Sequence, residues 1–323
     1  MQPLKFNHLY FEKIWGGRDL ASFRDDLPPG SIGESWDVAS HRNGTSVVLD
    51  GPFQGKSLSQ LYDEKRTELF GTAITFDRFP LLLKLINTSE ALSVQVHPND
   101  DYALARENDL GKTEAWYVMQ AEPGAYLIIG TGDLEREDFR QALDENRIEA
   151  MLHRVPVNEG DVFYIQAGLL HAIGPGLILY EIQQNSDTTY RFYDYGRPRE
   201  LHVEKAMEVI NFQLNGSRVE GVTRPIPGGL KTQLICCPHF SLEKYQVETR
   251  VEETSDPARF FLFTVVKGSG TLCWEDSRET MKKGDSLLIP AALGTYTLEG
   301  RFELLKSYVT EPAAAGDFQD QSI

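Results

Sequence analysis

Apolar residues in this chain come in short runs cut by Gly, Pro, Asn and Asp, and the pattern predicts strands far more often than helices. Ala125–Ile129, Asp161–Ile165, Leu177–Ile182 and Phe260–Val266 are rich in β-branched and aromatic residues and are bounded by turn formers. Many short strands joined by Gly turns predict a mainly β fold, a sandwich or barrel. Helical spacing appears in four places. Ser57–Phe70 opens on a Ser cap, Asn99–Glu107 has acidic residues at its start, Leu134–Leu152 mixes charge with apolar spacing, and Val203–Phe212 is the fourth.

The stretch Gly221–Gly229, with Pro225, Pro227 and a Gly pair, reads as a linker. A theme repeats on either side of it. Glu159-Gly160-Asp161 leads into Val162–Ile165 and then Ala167-Gly168, while Lys283-Gly284-Asp285 leads into Ser286–Ile289 and then Ala291-Ala292. Two Gly-Asp turns, each launching a buried strand, predict a duplicated β-barrel module. The expected division is 1–225, an N-terminal module with helical additions, and 226–323, a C-terminal module. Counted from each Gly-Asp, His171 of the first copy falls on Thr295 of the second. Ligand-type residues are therefore expected in the first module alone.

A length of 323 residues agrees with about two domains. The net charge of -16 argues against nucleic acid and anionic membranes as partners, yet leaves room for a phosphorylated small substrate in a locally basic pocket. No apolar run approaches the ~20 residues that span a bilayer. The first residues lack the pattern of a secretory signal, so a cytoplasmic protein is expected. Cys236, Cys237 and Cys273 show neither disulfide nor zinc-finger spacing and read as reduced, buried thiols. Glu311 onward reads as a frayed tail.

Candidate chemistry starts at Leu92–Asp100. On an extended backbone Gln95 and His97 share one face, and Val94 and Val96 the other. Lys112, Glu114 and Trp116 likewise share a face, and His171 opens the short segment His171-Ala172-Ile173. Two imidazoles, a carboxylate and an amide oxygen suit a divalent ion such as Zn²⁺. Taken singly, Glu114 reads as a salt-bridge partner of Lys112, and His171 as a core histidine. Their joint placement favours the metal.

Several blocks together resemble the type I phosphomannose isomerases: Leu92–Pro98, Lys112–Tyr117, Leu170–Ile173, Glu181–Arg191, Ile14–Gly17, Gly33–Trp36 and Pro80–Lys84. Only 56 residues separate Glu114 from His171, so the chain resembles the short bacterial form. The resemblance implies a bicupin that interconverts mannose 6-phosphate and fructose 6-phosphate through an enediol(ate) with one zinc ion. It implies Gln95, His97, Glu114 and His171 as metal ligands and Arg191 as the catalytic arginine. Lys112 and Glu181 are alternatives for proton transfer, between which the residue types do not decide. Ser93 and Lys84 are the candidates for the phosphate, Ser93 by sharing a face with Gln95 and Lys84 by ending an apolar strand. Trp15, Trp36 and Trp116 are read as packing. The expected partner is a small sugar phosphate, with the oligomeric state open between monomer and homodimer. Two rival readings are an Fe(II) cupin oxygenase, which the Gln, His, Glu, His set fits poorly, and a sugar-phosphate sensor, which has no evident need for Lys112, Glu181 and Arg191 together.

Overall fold

The computed structural model describes residues 1–132, 134–145 and 147–310, so the expected tail from Glu311 lies outside the described residues. The fold is mainly β. In the N-terminal part, the strands of the two main sheets are β1 (Leu9–Gly17), β2 (Ile32–Val38), β3 (Leu81–Thr88), β4 (Val94–Val96), β5 (Glu114–Ala121), β6 (Tyr126–Ile129), β7 (Arg154–Pro156), β8 (Val162–Ile165), β9 (His171–Ile173), β10 (Leu177–Gln184) and β11 (Tyr190–Tyr193). They form a six-stranded sheet in the order β1-β2-β3-β10-β5-β8 and a five-stranded sheet in the order β11-β4-β9-β6-β7.

Alternation along the central strands explains the layering. On β10, Leu177 and Leu179 point inward and pack with Ile86, Trp116 and Val118 of the same sheet and with Leu127, Ile129 and Ile173 of the other. That shared apolar core holds the two sheets face to face. Further along the same inward face come Glu181 and Gln183, where the barrel interior turns polar. The other face of β10, with Ile178, Tyr180 and Ile182, joins Leu83, Leu85, Ala115 and Tyr117 in a second core. A strand buried on both faces reads as a nearly continuous apolar run, as Leu177–Ile182 does in the sequence.

The outer face of the five-stranded sheet is covered by helices. Val94, Val96, Ala172 and Phe192 pack against Phe139, Ile148 and Met207 from α3 (Arg136–Asp144), α4 (Ile148–Met151) and α5 (Val203–Val209). The earlier helices are α1 (Leu58–Glu64) and α2 (Asp100–Arg106). Ser57 caps α1 in a reciprocal box with Gln60, and the Asn99 side chain caps α2 by accepting from the Tyr102 amide at 3.0 Å.

The C-terminal strands are β12 (Val222–Ile226), β13 (Gly229–Cys236), β14 (Ser241–Val247), β15 (Arg250–Thr254), β16 (Phe261–Trp274), β17 (Ser277–Lys282), β18 (Ser286–Ile289) and β19 (Thr295–Tyr308). They run in the order β12-β13-β14-β19-β16-β17, with β15 on β19 and β18 on β16. Phe240, Leu242, Phe260, Leu262, Leu288 and Leu305 close the second core against the outer face of the six-stranded sheet. The chain's first residues are also tied there, since Leu4 and Leu288 exchange backbone hydrogen bonds of 2.8 and 2.9 Å.

Three expectations change. The 221–229 segment is not a linker: Pro227-Gly228 is a two-residue hairpin turn between β12 and β13, with Gly228 at φ 84°. Pro225 is tolerated because β12 is an edge strand, and this strand, which crosses the expected 225/226 division, pairs within the C-terminal sheet. The predicted helix Ser57–Phe70 breaks at Lys65 into α1 and a single π-turn, because the Glu68 and Leu69 carbonyls accept from the amides of Ala292 and Ala291. The predicted helix Leu134–Leu152 is divided into α3 and α4. The two Gly-Asp turns, by contrast, are built alike. Gly160 and Gly284 sit at φ 94° and 92°, and the following aspartates accept from Asn158 and Lys282 amides at 2.8 and 2.9 Å.

Candidate active site

The polar end of the first barrel gathers residues from both sheets. Gln95 on β4 pairs with His171 on one side and Arg191 on the other, so the three side chains form a row across the five-stranded sheet. Val94 and Val96 face the helices, as the alternation predicts. Glu114, at the start of β5, rises from the opposite sheet. Its Oε1 lies 3.6 Å from His97 Nε2 and 3.5 Å from His171 Nε2. Among the described residues, His97, Glu114 and His171 form a cluster in which one ligand atom from each lies within 4.8 Å of the others, and all three are buried.

The imidazoles are oriented from behind. His97 Nδ1 is 3.0 Å from the Thr188 carbonyl and His171 Nδ1 is 2.9 Å from the Leu169 carbonyl. Each Nδ1–H therefore donates to backbone, which leaves both Nε2 lone pairs facing Glu114, the arrangement metal-binding histidines adopt. Burial, reinforced by the Lys112 ammonium, pushes the His97 pKa down to about 3, and burial also lowers that of His171. Both rings are neutral, as ligands must be. Burial alone would raise the Glu114 pKa, but the Lys112 ammonium holds it well below the carboxylate range. Glu114 Oε1 is buried with no hydrogen-bond donor. A charged oxygen left in that state is costly unless a cation completes it. Gln95 adds an amide 3.3 Å from His171 Nε2, and the Ser93 hydroxyl donates to its oxygen at 3.3 Å. The donor set fits one divalent ion.

Comparison with known proteins follows the same lines. Residues 4–126 match the model of the phosphomannose isomerase type I catalytic domain, and residues 230–309 that of the mannose-6-phosphate isomerase cupin domain. Mannose-6-phosphate isomerase ManA of Bacillus subtilis (strain 168) is 40% identical over 315 residues, 95% of this chain and 99% of the relative. The chain belongs to the type I phosphomannose isomerases. Within this family, the mannose-6-phosphate isomerase of Streptococcus mutans is 37% identical over 96% of this chain and 99% of its own length. The crystal structure of the Bacillus subtilis mannose 6-phosphate isomerase superposes with a TM-score of 0.90, at 35% identity, over 95% of this chain and 99% of that one.

The other residues expected in a phosphomannose isomerase site fall around the cluster. Lys112 Nζ is 2.8 Å from Glu114 Oε2 and 3.1 Å from His97 Nε2. The plain reading of Lys112 and Glu114 as a salt bridge and the metal reading of Glu114 are thus compatible. Glu181 accepts from Trp116 Nε1 at 2.8 Å and pairs with Lys84 Nζ at 2.9 Å. Burial and the neighbouring Glu114 charge raise the Glu181 pKa against the pull of Lys84 and Lys112. Arg191 donates to the Glu200 carbonyl at 2.7 Å, while the nearby Asp194 is held by Arg197 and Arg199. Burial and the nearby Arg199 charge lower the Arg191 pKa.

Lys84 does not end its strand. It lies in the middle of β3, opposite Glu181 on β10, and is buried between Glu181 and Glu34, the latter 3.7 Å away. Glu34, within the block Gly33–Trp36, is a site residue for which the sequence pattern alone indicates no role. Glu34 lies in β2 and Lys84 in β3, both strands wholly buried, so the two opposite charges have each other as partners. The carbonyls of Thr188 and Leu169 carried no signal at all, because every residue has one.

Proposed function

We propose that this protein is a zinc-dependent mannose-6-phosphate isomerase, a cytoplasmic enzyme that interconverts mannose 6-phosphate and fructose 6-phosphate through an enediol(ate). The observation that carries the reading is the convergence of His97 Nε2, His171 Nε2 and the donor-less Glu114 Oε1 inside the barrel of a chain from this family. Gln95 completes the ligand set. Zinc held there supplies a Lewis acid for the sugar's oxygens.

The chain's own residues carry the proton and the charge. The reaction removes a proton from C2 of the opened aldose and delivers one to C1 of the ketose. The carrier must hold that proton without losing it to water. Glu181 suits this better than Lys112, because burial and Glu114 raise its pKa while Trp116 Nε1 fixes one oxygen. Lys112, held by Glu114, keeps a positive charge beside the developing oxyanion. Arg191 adds a second from the opposite sheet, in line with Gln95. For the phosphate, the Ser93 hydroxyl is the direct donor on the Gln95 face, and Lys84 contributes through its charge from the sheet floor. The C-terminal module, with no ligand cluster among its described residues, backs the catalytic sheet.

The test is conversion of mannose 6-phosphate, with unphosphorylated mannose as control. Formation of fructose 6-phosphate, absent with mannose, is expected. Tight binding of mannose 6-phosphate without turnover, by zinc-loaded protein, would sink the enzyme reading in favour of a sensor.

A further inference from the structure

Charges on the floor of the site form an unbroken series of alternating sign. Lys13 Nζ is 3.1 Å from Glu34 Oε1, and Glu34 Oε2 is 3.7 Å from Lys84 Nζ. Lys84 Nζ is 2.9 Å from Glu181 Oε1, which lies 4.0 Å from Lys112 Nζ. Lys112 then meets Glu114 at 2.8 Å. All of these groups except Lys13 are buried, and Lys13 sits half-exposed at the rim. The Trp36 indole fixes Glu34 by donating to Oε2 at 2.8 Å.

We propose that Glu34 is a positioning residue for the isomerisation: it shares the Lys84 ammonium with Glu181, and Lys13 sets how strongly it does so. This rests on the isomerase reading, with Glu181 as proton carrier. A carboxylate that holds an undivided lysine partner is stabilised in its charged form and makes a weak base. Glu34 competes for that partner from the far side of Lys84, so Glu181 stays basic enough to take a proton. The electrostatics agree. Against its own burial, Glu34 is held at a pKa of about 2 by Lys84 and Lys13, and Lys84 is raised, against burial, by Glu181 and Glu34 together. The charged groups that act on Glu181 are Lys84 from β3 and Lys112 and Glu114 from the β5 side. Asp187 adds a longer-range pull on Lys84.

The series makes opposite predictions for its two outer members. Glu34→Gln keeps an oxygen for Trp36 but releases Lys84 wholly to Glu181. Lys13→Met frees Glu34 to draw harder on Lys84. In zinc-loaded enzyme, Glu34→Gln is expected to lower kcat about ten-fold with KM within about two-fold, and to move the acid limb of the kcat profile to lower pH. Lys13→Met is expected to move that limb to higher pH, and Glu34→Asp to restore most of the turnover. A structural role alone would change the thermal midpoint and leave the limb in place. Unmoved limbs, or limbs that move in the same direction in both variants, overturn the proposal. If Glu34→Gln does not fold, Lys13→Met at the rim decides by its own direction. Wild-type protein without isomerase activity would instead overturn the reading beneath it.

Discussion

Glu114 carries the most at the scale of single residues, because among the described residues it is the only carboxylate that both histidine Nε2 atoms face. Replacing either histidine by Ala removes a donor from a buried set, and His97→Ala or His171→Ala is expected to cut bound zinc, measured by elemental analysis, to well below one equivalent. Arg191 lies outside that set. Arg191→Ala is expected to keep the metal and lower kcat by about 10²–10³, the scale for losing a charge aimed at an oxyanion; a change in stability alone would refute its role. The ligand types and their faces were legible, because alternation on a strand fixes which side chains share a face. What was not legible is what orients them. The Thr188 and Leu169 carbonyls are chemically like all others, and only the folded chain brings them behind the rings. Lys84 was misplaced for a related reason: the run Leu81-Leu82-Leu83-Lys84 looks like a strand ending in a solvated lysine, whereas Glu181 and Glu34 hold that lysine inside.

Strands were more legible than helices at the scale of elements. β8, β10 and β16 were found because their branched and aromatic runs are bounded by turn residues. The helix expected over Ser57–Phe70 failed where carbonyls found partners in the C-terminal module, a contact with no local signature. The Pro-Gly pair at 227–228 shows the same limit, since it marks a turn in a linker and in a hairpin alike. α2, which follows the His97-Pro98 corner, depends on its Asn99 cap. Asn99→Ala is expected to cost about 1 kcal/mol in chemical unfolding. Zinc content should be unchanged, because the cap serves the helix and not the ligands.

The two modules are joined, at the scale of the whole molecule, by a core that neither completes alone. Phe260 packs 5.6 Å from Phe70 and 5.1 Å from Phe79, ring to ring, and Tyr180 bonds Ser307. Phe260→Ala is expected to destabilise by about 3–5 kcal/mol, as for other large core truncations. Because the outer face of the catalytic sheet is buried in this core, thermal unfolding should proceed in one transition; two separate transitions would contradict the shared core. The repeated Gly-Asp turns were legible in the sequence, and each launches a strand, the second within the C-terminal sheet. How closely it backs the site was not, since packing between sheets depends on shape as well as on pattern. We propose that one zinc ion on Gln95, His97, Glu114 and His171 makes this chain a mannose-6-phosphate isomerase. The most direct test is to strip the protein with a chelator and titrate zinc back while following fructose 6-phosphate formation. Activity should be lost on stripping and return in proportion to zinc, reaching a plateau at about one equivalent per chain. Full activity in stripped protein, or one bound equivalent without activity, would contradict it.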